Sequence, residues 1–137
     1  MRKRFMLLWT PAVLGLALML PGTVAAETLG TIKFVDGYCT GNNTVHSTFK
    51  LIKNSGFYAS KLTITGIAQQ RISGSWKKVA TIDTASKQVN TSSKATMQAS
   101  FTYNPGKNGR FRIMAVGRIW NGSTVAAKGQ IASGYCE

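Results

Sequence analysis

The stretch "ATMQASFTY", Ala95 to Tyr103, constrains this chain more than any other feature. Ala95, Met97, Ala99, Phe101 and Tyr103 alternate strictly with Thr96, Gln98, Ser100 and Thr102. Successive side chains of a strand point to opposite faces, so a period of two gives one buried face and one wet face. "TVHSTFKLIK" and "KLTITGIAQQ" carry the same pattern, and no window shows a 3.6-residue helical period. "TIKFV", "SWKKVATID", "GRFRIMAVGRIW" and "STVAAKGQIAS" bring the total to about seven strands. Turn chemistry separates them at Asp36-Gly37, Asn54-Ser55-Gly56, Ser73-Gly74, Asn104-Pro105-Gly106 and Asn121-Gly122. The polar stretch Thr84 to Lys94 reads as a surface loop. Short strands at this spacing predict an all-β fold, a single antiparallel β-sandwich.

Burial selects the register of the last hairpin. A plain two-residue loop at Asn121-Gly122 pairs Trp120 with Ser123 and leaves the apolar faces of the two strands on opposite sides. A three-residue loop with a bulge at Gly122 pairs Ile119 with Ser123 instead. Phe111, Ile113, Ala115, Gly117 and Ile119 then share a face with Val125, Ala127, Gly129 and Ile131. A one-residue slip moves every side chain across the sheet, so the bulged register is expected. The other face then carries Arg110, Arg112, Met114, Val116, Arg118 and Trp120, opposite Thr124, Ala126, Lys128, Gln130 and Ala132. Arg110, Arg112, Arg118 and Lys128, with Trp120 as an aromatic contact, are the candidate anion-binding residues. Trp76 shares a phase with Ala80 and Ile82 and is expected in the core.

The chain opens with Arg2, Lys3 and Arg4, an apolar run from Phe5 to Leu20, a Pro21-Gly22 break and the small residues Thr23-Val24-Ala25-Ala26. That is the layout of a secretory signal peptide, expected to span residues 1–26 and to release a secreted domain of residues 27–137. The apolar run is short for a membrane span and contains Pro11. An exported chain with two cysteines is expected to form one disulfide, Cys39 to Cys136. A bridge closing so long a loop is worth roughly 4–5 kcal/mol in the chain-entropy account. Tyr135 shares the inward phase of Ile131 and Ser133, which turns Cys136 outward unless Gly134 bulges. The disulfide is therefore expected at an edge of the sandwich. Cys39, Trp76 and Cys136 occur in immunoglobulin order, but at longer separations, so the fold is expected to be immunoglobulin-like or similar.

Catalytic chemistry finds few residues to work with. The chain holds four acidic residues, Glu27, Asp36, Asp83 and Glu137, and one histidine, His46. No nucleophile elbow, redox Cys-x-x-Cys or glycine-rich phosphate loop is present. A Ser-His-Asp set assembled from His46, a serine and an aspartate is uninformative. A small secreted basic nuclease, using His46 with Glu27 or Asp36 and arginines for the phosphate, is the least implausible enzyme. The two cysteines and His46 make a poor metal site, and no cofactor is expected. Asn42, Asn90 and Asn121 begin Asn-x-Ser/Thr sequences, which Asn-rich turns also produce by chance.

Charge is the remaining signal. The leader takes three of the 17 basic residues and none of the four acidic ones, so the formal charge of +13 falls to +10 for the secreted domain. Such a field attracts polyanions. The expected function is non-enzymatic binding of an anionic cell-surface or extracellular polymer: a teichoic acid, an acidic glycan or an anionic lipid surface, with nucleic acid as a further partner. The alternatives are a cationic toxin or antimicrobial acting on membranes, a basic hydrolase, and a protease inhibitor presenting Thr84 to Lys94.

Overall fold

The computed structural model of the chain describes residues 3–4, 12–15 and 28–137. Most of the expected leader, residues 1–26, lies outside the described residues. Of that region, Lys3–Arg4 and Ala12–Gly15 are short segments paired antiparallel with the first long strand.

Seven long strands follow: β1 Thr28–Thr40, β2 Thr44–Lys53, β3 Ala59–Ile72, β4 Ser75–Thr91, β5 Ala95–Tyr103, β6 Phe111–Asn121 and β7 Thr124–Cys136. They form two antiparallel sheets, ordered β1-β2-β5 and β4-β3-β6-β7. Hairpins join β1 to β2, β3 to β4 and β6 to β7 within a sheet, while the other three connections cross between sheets. In a constant-type immunoglobulin domain the fourth strand joins the sheet of the first two. Here β4 pairs with β3 instead. No helix among the described residues is long and apolar enough to cross a membrane.

The alternating strands bury the faces the sequence assigns to them. Phe49 and Leu51 of β2, Met97 and Phe101 of β5, Leu62 and Ile64 of β3, and Ile113 and Ile119 of β6 meet between the sheets. Phe49 lies 5.7 Å from Phe34 and 6.3 Å from Phe101, measured between ring centres. Gly66 makes room for this packing, because a Cβ there would stand 2.6 Å from the Phe101 ring. Lys53, the last residue of β2, points inward and is fully buried. Its ammonium donates to the carbonyls of Asn54 and Ser93, each at 2.9 Å, and sits 4.3 Å from the centre of the Phe57 ring. Burial holds its pKa below the ordinary lysine value.

The disulfide joins Cys39 of β1 to Cys136 of β7 across 97 residues. Among the seven long strands these are the outermost of opposite sheets, and both cysteines are buried. A register shift in β7 between the partners of Arg112 and Met114 turns Cys136 inward and Tyr135 outward. Ser133 fills the interrupted ladder by accepting from the Ile113 N–H at 3.0 Å and donating to the Gly134 carbonyl at 2.7 Å.

Three sequence expectations are corrected. The β6–β7 turn is a two-residue loop, Gly122-Ser123, closed by Asn121 opposite Thr124, with no bulge at Gly122. The extra residue is Ala126, between the pairs Trp120–Val125 and Ile119–Ala127. Ala127, Gly129 and Ile131 still share the face of Ile119, Gly117 and Ala115, but Val125 lies on the face of Trp120. Burial fixed the phase, and the strand met it by bulging further from the turn. Secondly, Thr84–Thr91 is not a loop but the second half of β4, with Ala85 opposite Ile64 and Gln88 opposite Lys61. An edge strand needs only one backbone partner, and its exposed side chains remain polar without ceasing to be a strand. Thirdly, Trp76 is not in the core. Val79 is an extra residue between the pairs Ala68–Ala80 and Gln69–Lys78, so the phase inverts and Trp76 faces outward opposite Arg71.

Candidate anion-binding face

The outer face of the β4-β3-β6-β7 sheet gathers the cations and indoles. At one end the Ser73-Gly74 turn sets Trp76 opposite Arg71, and β6 brings Arg112 opposite Gln69 and Tyr135. The Arg112 guanidinium lies 4.3 Å from the centre of the Trp76 ring and that of Arg71 lies 5.7 Å away. Tyr135 stands 6.2 Å from Trp76, closing the cluster. The Arg112 Nε donates to Gln69 Oε1 at 2.8 Å, which fixes the plane of the guanidinium. Partial burial, together with the charge of Arg71, holds Arg112 below the ordinary arginine pKa. Two like charges are thus brought to one indole.

A second cluster occupies the opposite end. The Trp120 Nε1 donates to Thr63 Oγ1 at 2.9 Å, and the Lys61 ammonium sits 4.7 Å from its ring centre. Ser60 pins the hairpin tip, donating to the Trp120 carbonyl at 3.1 Å and accepting from the Gly122 N–H at 2.9 Å. Arg118 stands directly opposite Lys128 on β7. Like charges facing each other across a ladder are unfavourable in the free protein.

Among the described residues no carboxylate pairs with a cation of either cluster. Asp36 and Asp83 each accept from the N–H of the following residue, at 2.8 and 2.7 Å. Among the described residues one salt bridge forms, Arg110 Nε to Glu137 Oε2 at 2.7 Å. Glu137 raises the Arg110 pKa and neutralises the cation, although Arg110 also lies 5.5 Å from the Tyr135 ring. Of the five residues the sequence marks for anion contact, Arg112, Arg118, Lys128 and Trp120 lie on this face with no carboxylate partner among the described residues. Arg110 lies at its margin, paired. Arg71, Lys61, Trp76 and Tyr135 were missed. The signal for Arg71 and Trp76 was present, since a two-residue Ser73-Gly74 loop pairs Ile72 with Ser75 and so Arg71 with Trp76.

The other candidate chemistry lies on the opposite sheet. His46 stacks on Tyr38 at 4.4 Å and 12°, and its Nε2 and Nδ1 are hydrogen-bonded to the Thr40 and Thr102 hydroxyls at 2.9 and 3.1 Å. Both ring nitrogens are therefore engaged. A depression of about 140 Å³ beside it is lined by Asp36, Tyr38, Thr48 and Ser100. No group of three or more metal-binding side chains occurs among the described residues. Comparison of the chain with protein-family models, curated proteins and solved structures gives no match.

Proposed function

We propose that this protein is an extracellular, non-enzymatic β-sandwich that binds an anionic polymer of a cell surface through the outer face of its four-stranded sheet. The observation that carries the reading is the Arg71–Trp76–Arg112 cluster. Two guanidiniums share one indole without a carboxylate among the described residues, an arrangement with a repulsive cost that an incoming oxyanion relieves. A guanidinium offers paired donors that match phosphate or carboxylate oxygens. The leader pattern and the buried disulfide support an oxidising, extracellular setting. The hydrolase reading is disfavoured because His46 has both ring nitrogens bound to threonine hydroxyls.

Co-sedimentation of residues 27–137 with purified bacterial cell walls tests the proposal. Binding at low salt that collapses as salt rises is the expected result, because exposed charges are screened within about a Debye length. Absence of binding at low salt would reduce the basic face to a solubility device.

A further inference from the structure

The two clusters lie at opposite ends of one strand. Arg112 and Arg118, the facing cations of the two clusters, are six positions apart on β6, which at about 3.3 Å per residue places them roughly 20 Å apart. Between them run two uncharged rows, Thr65–Val116–Gln130 and Ile67–Met114–Ala132. A cation already sits against each indole, Arg112 at Trp76 and Lys61 at Trp120. The rings therefore act as supports that hold cations in place, and recognition falls to the cations rather than to base stacking.

We infer that the clusters are two subsites for one linear polyanion, engaged together only by a chain long enough to cross the neutral strip. This rests on the anion-binding reading and adds a ligand geometry to it: a flexible chain with repeating oxyanions rather than a compact anion. The Trp76 end, with two guanidiniums, takes an oxyanion by paired donors. The Trp120 end takes a second through Lys61, Arg118 and Lys128. Once one end is bound, the second contact is intramolecular, and linked contacts of this kind gain about 10²–10⁴ in affinity without any new interaction.

Calorimetric titration of the secreted domain with inorganic polyphosphate of graded length tests this, with uronic-acid oligomers of graded length as a carboxylate arm. The expected result is weak binding of chains too short to span about 20 Å. Longer chains should bind one per protein and at least about 100-fold more tightly. The polymer showing the step identifies the oxyanion. Arg71→Gln with Arg112→Gln should abolish the step and leave long chains as weak as short ones, whereas Lys33→Gln with Lys50→Gln on the other sheet should retain it. Binding whose affinity shows no step with length, or a step that survives Arg71→Gln with Arg112→Gln, overturns the two-subsite inference and leaves the anion-binding reading in place. No binding of any chain at low salt overturns both.

Discussion

At the scale of single residues, the informative side chains are charged groups held where water is scarce. Arg112 is fixed by Gln69 and lies against Trp76, so the indole is a support for the cation as much as a surface feature. Trp76→Ala should therefore weaken polyanion binding by about tenfold, the loss of a desolvated cation–π contact worth ~1–2 kcal/mol. Equal affinity of the variant and the parent in a direct titration would show that the ring organises nothing. Lys53 shows the same economy inside the fold. Truncation by Lys53→Ala removes a fully buried side chain and the donor to the Asn54 and Ser93 carbonyls, and should cost about 2–4 kcal/mol in urea unfolding. Its pH signature follows from the depressed pKa. The unfolded chain binds this proton more tightly, so the Lys53 contribution grows more favourable as pH rises through the window just below 10.5. The stability of the parent relative to Lys53→Met should rise across that window, and a flat difference would contradict the assignment.

Elements were legible to the extent that burial wrote them. β5 and β2, flanked on both sides or packed over their full length, alternate cleanly and are placed as the sequence predicts. β4 is a single-neighbour edge strand with mostly exposed side chains, so its second half carries no apolar period to read. Bulges are the other blind spot. Val79 inverts the phase of Trp76, and Ala126 rather than Gly122 absorbs the mismatch in the last hairpin. The sequence named a bulge at Gly134 only as the condition for Cys136 to turn inward, and the strand meets that condition at Ser133–Gly134. Half of the candidate site was therefore visible on β6 and β7, while the Arg71–Trp76 pairing was carried by the Ser73-Gly74 turn and only its outward face was hidden behind one inserted residue. Close packing between elements gives a direct test. Gly66→Ala drives a methyl into the Phe101 ring and should lower stability by about 1–3 kcal/mol, seen as a lower urea midpoint. An unchanged midpoint would mean the sheets can part at that contact without cost.

For the whole molecule, one covalent tie and one asymmetric charge distribution matter most. The Cys39–Cys136 bridge joins the first and last strands across opposite sheets, and replacing both cysteines by alanine should cost about 4–5 kcal/mol. A loss below about 1 kcal/mol would show that packing alone closes the sandwich. The charge asymmetry is subtler, because both sheets carry facing cations. Lys33 stands opposite Lys50 on the outer face of the first sheet, but neither lies against an aromatic ring among the described residues. Arg71 and Arg112 on the second sheet share Trp76. Each pair of substitutions to glutamine removes the same formal charge. The most direct measurement is therefore cell-wall binding of Arg71→Gln with Arg112→Gln beside Lys33→Gln with Lys50→Gln, at one low salt concentration. Loss confined to the arginine variant is the predicted result. Equal loss in both would show that net charge alone drives association and that the face has no site.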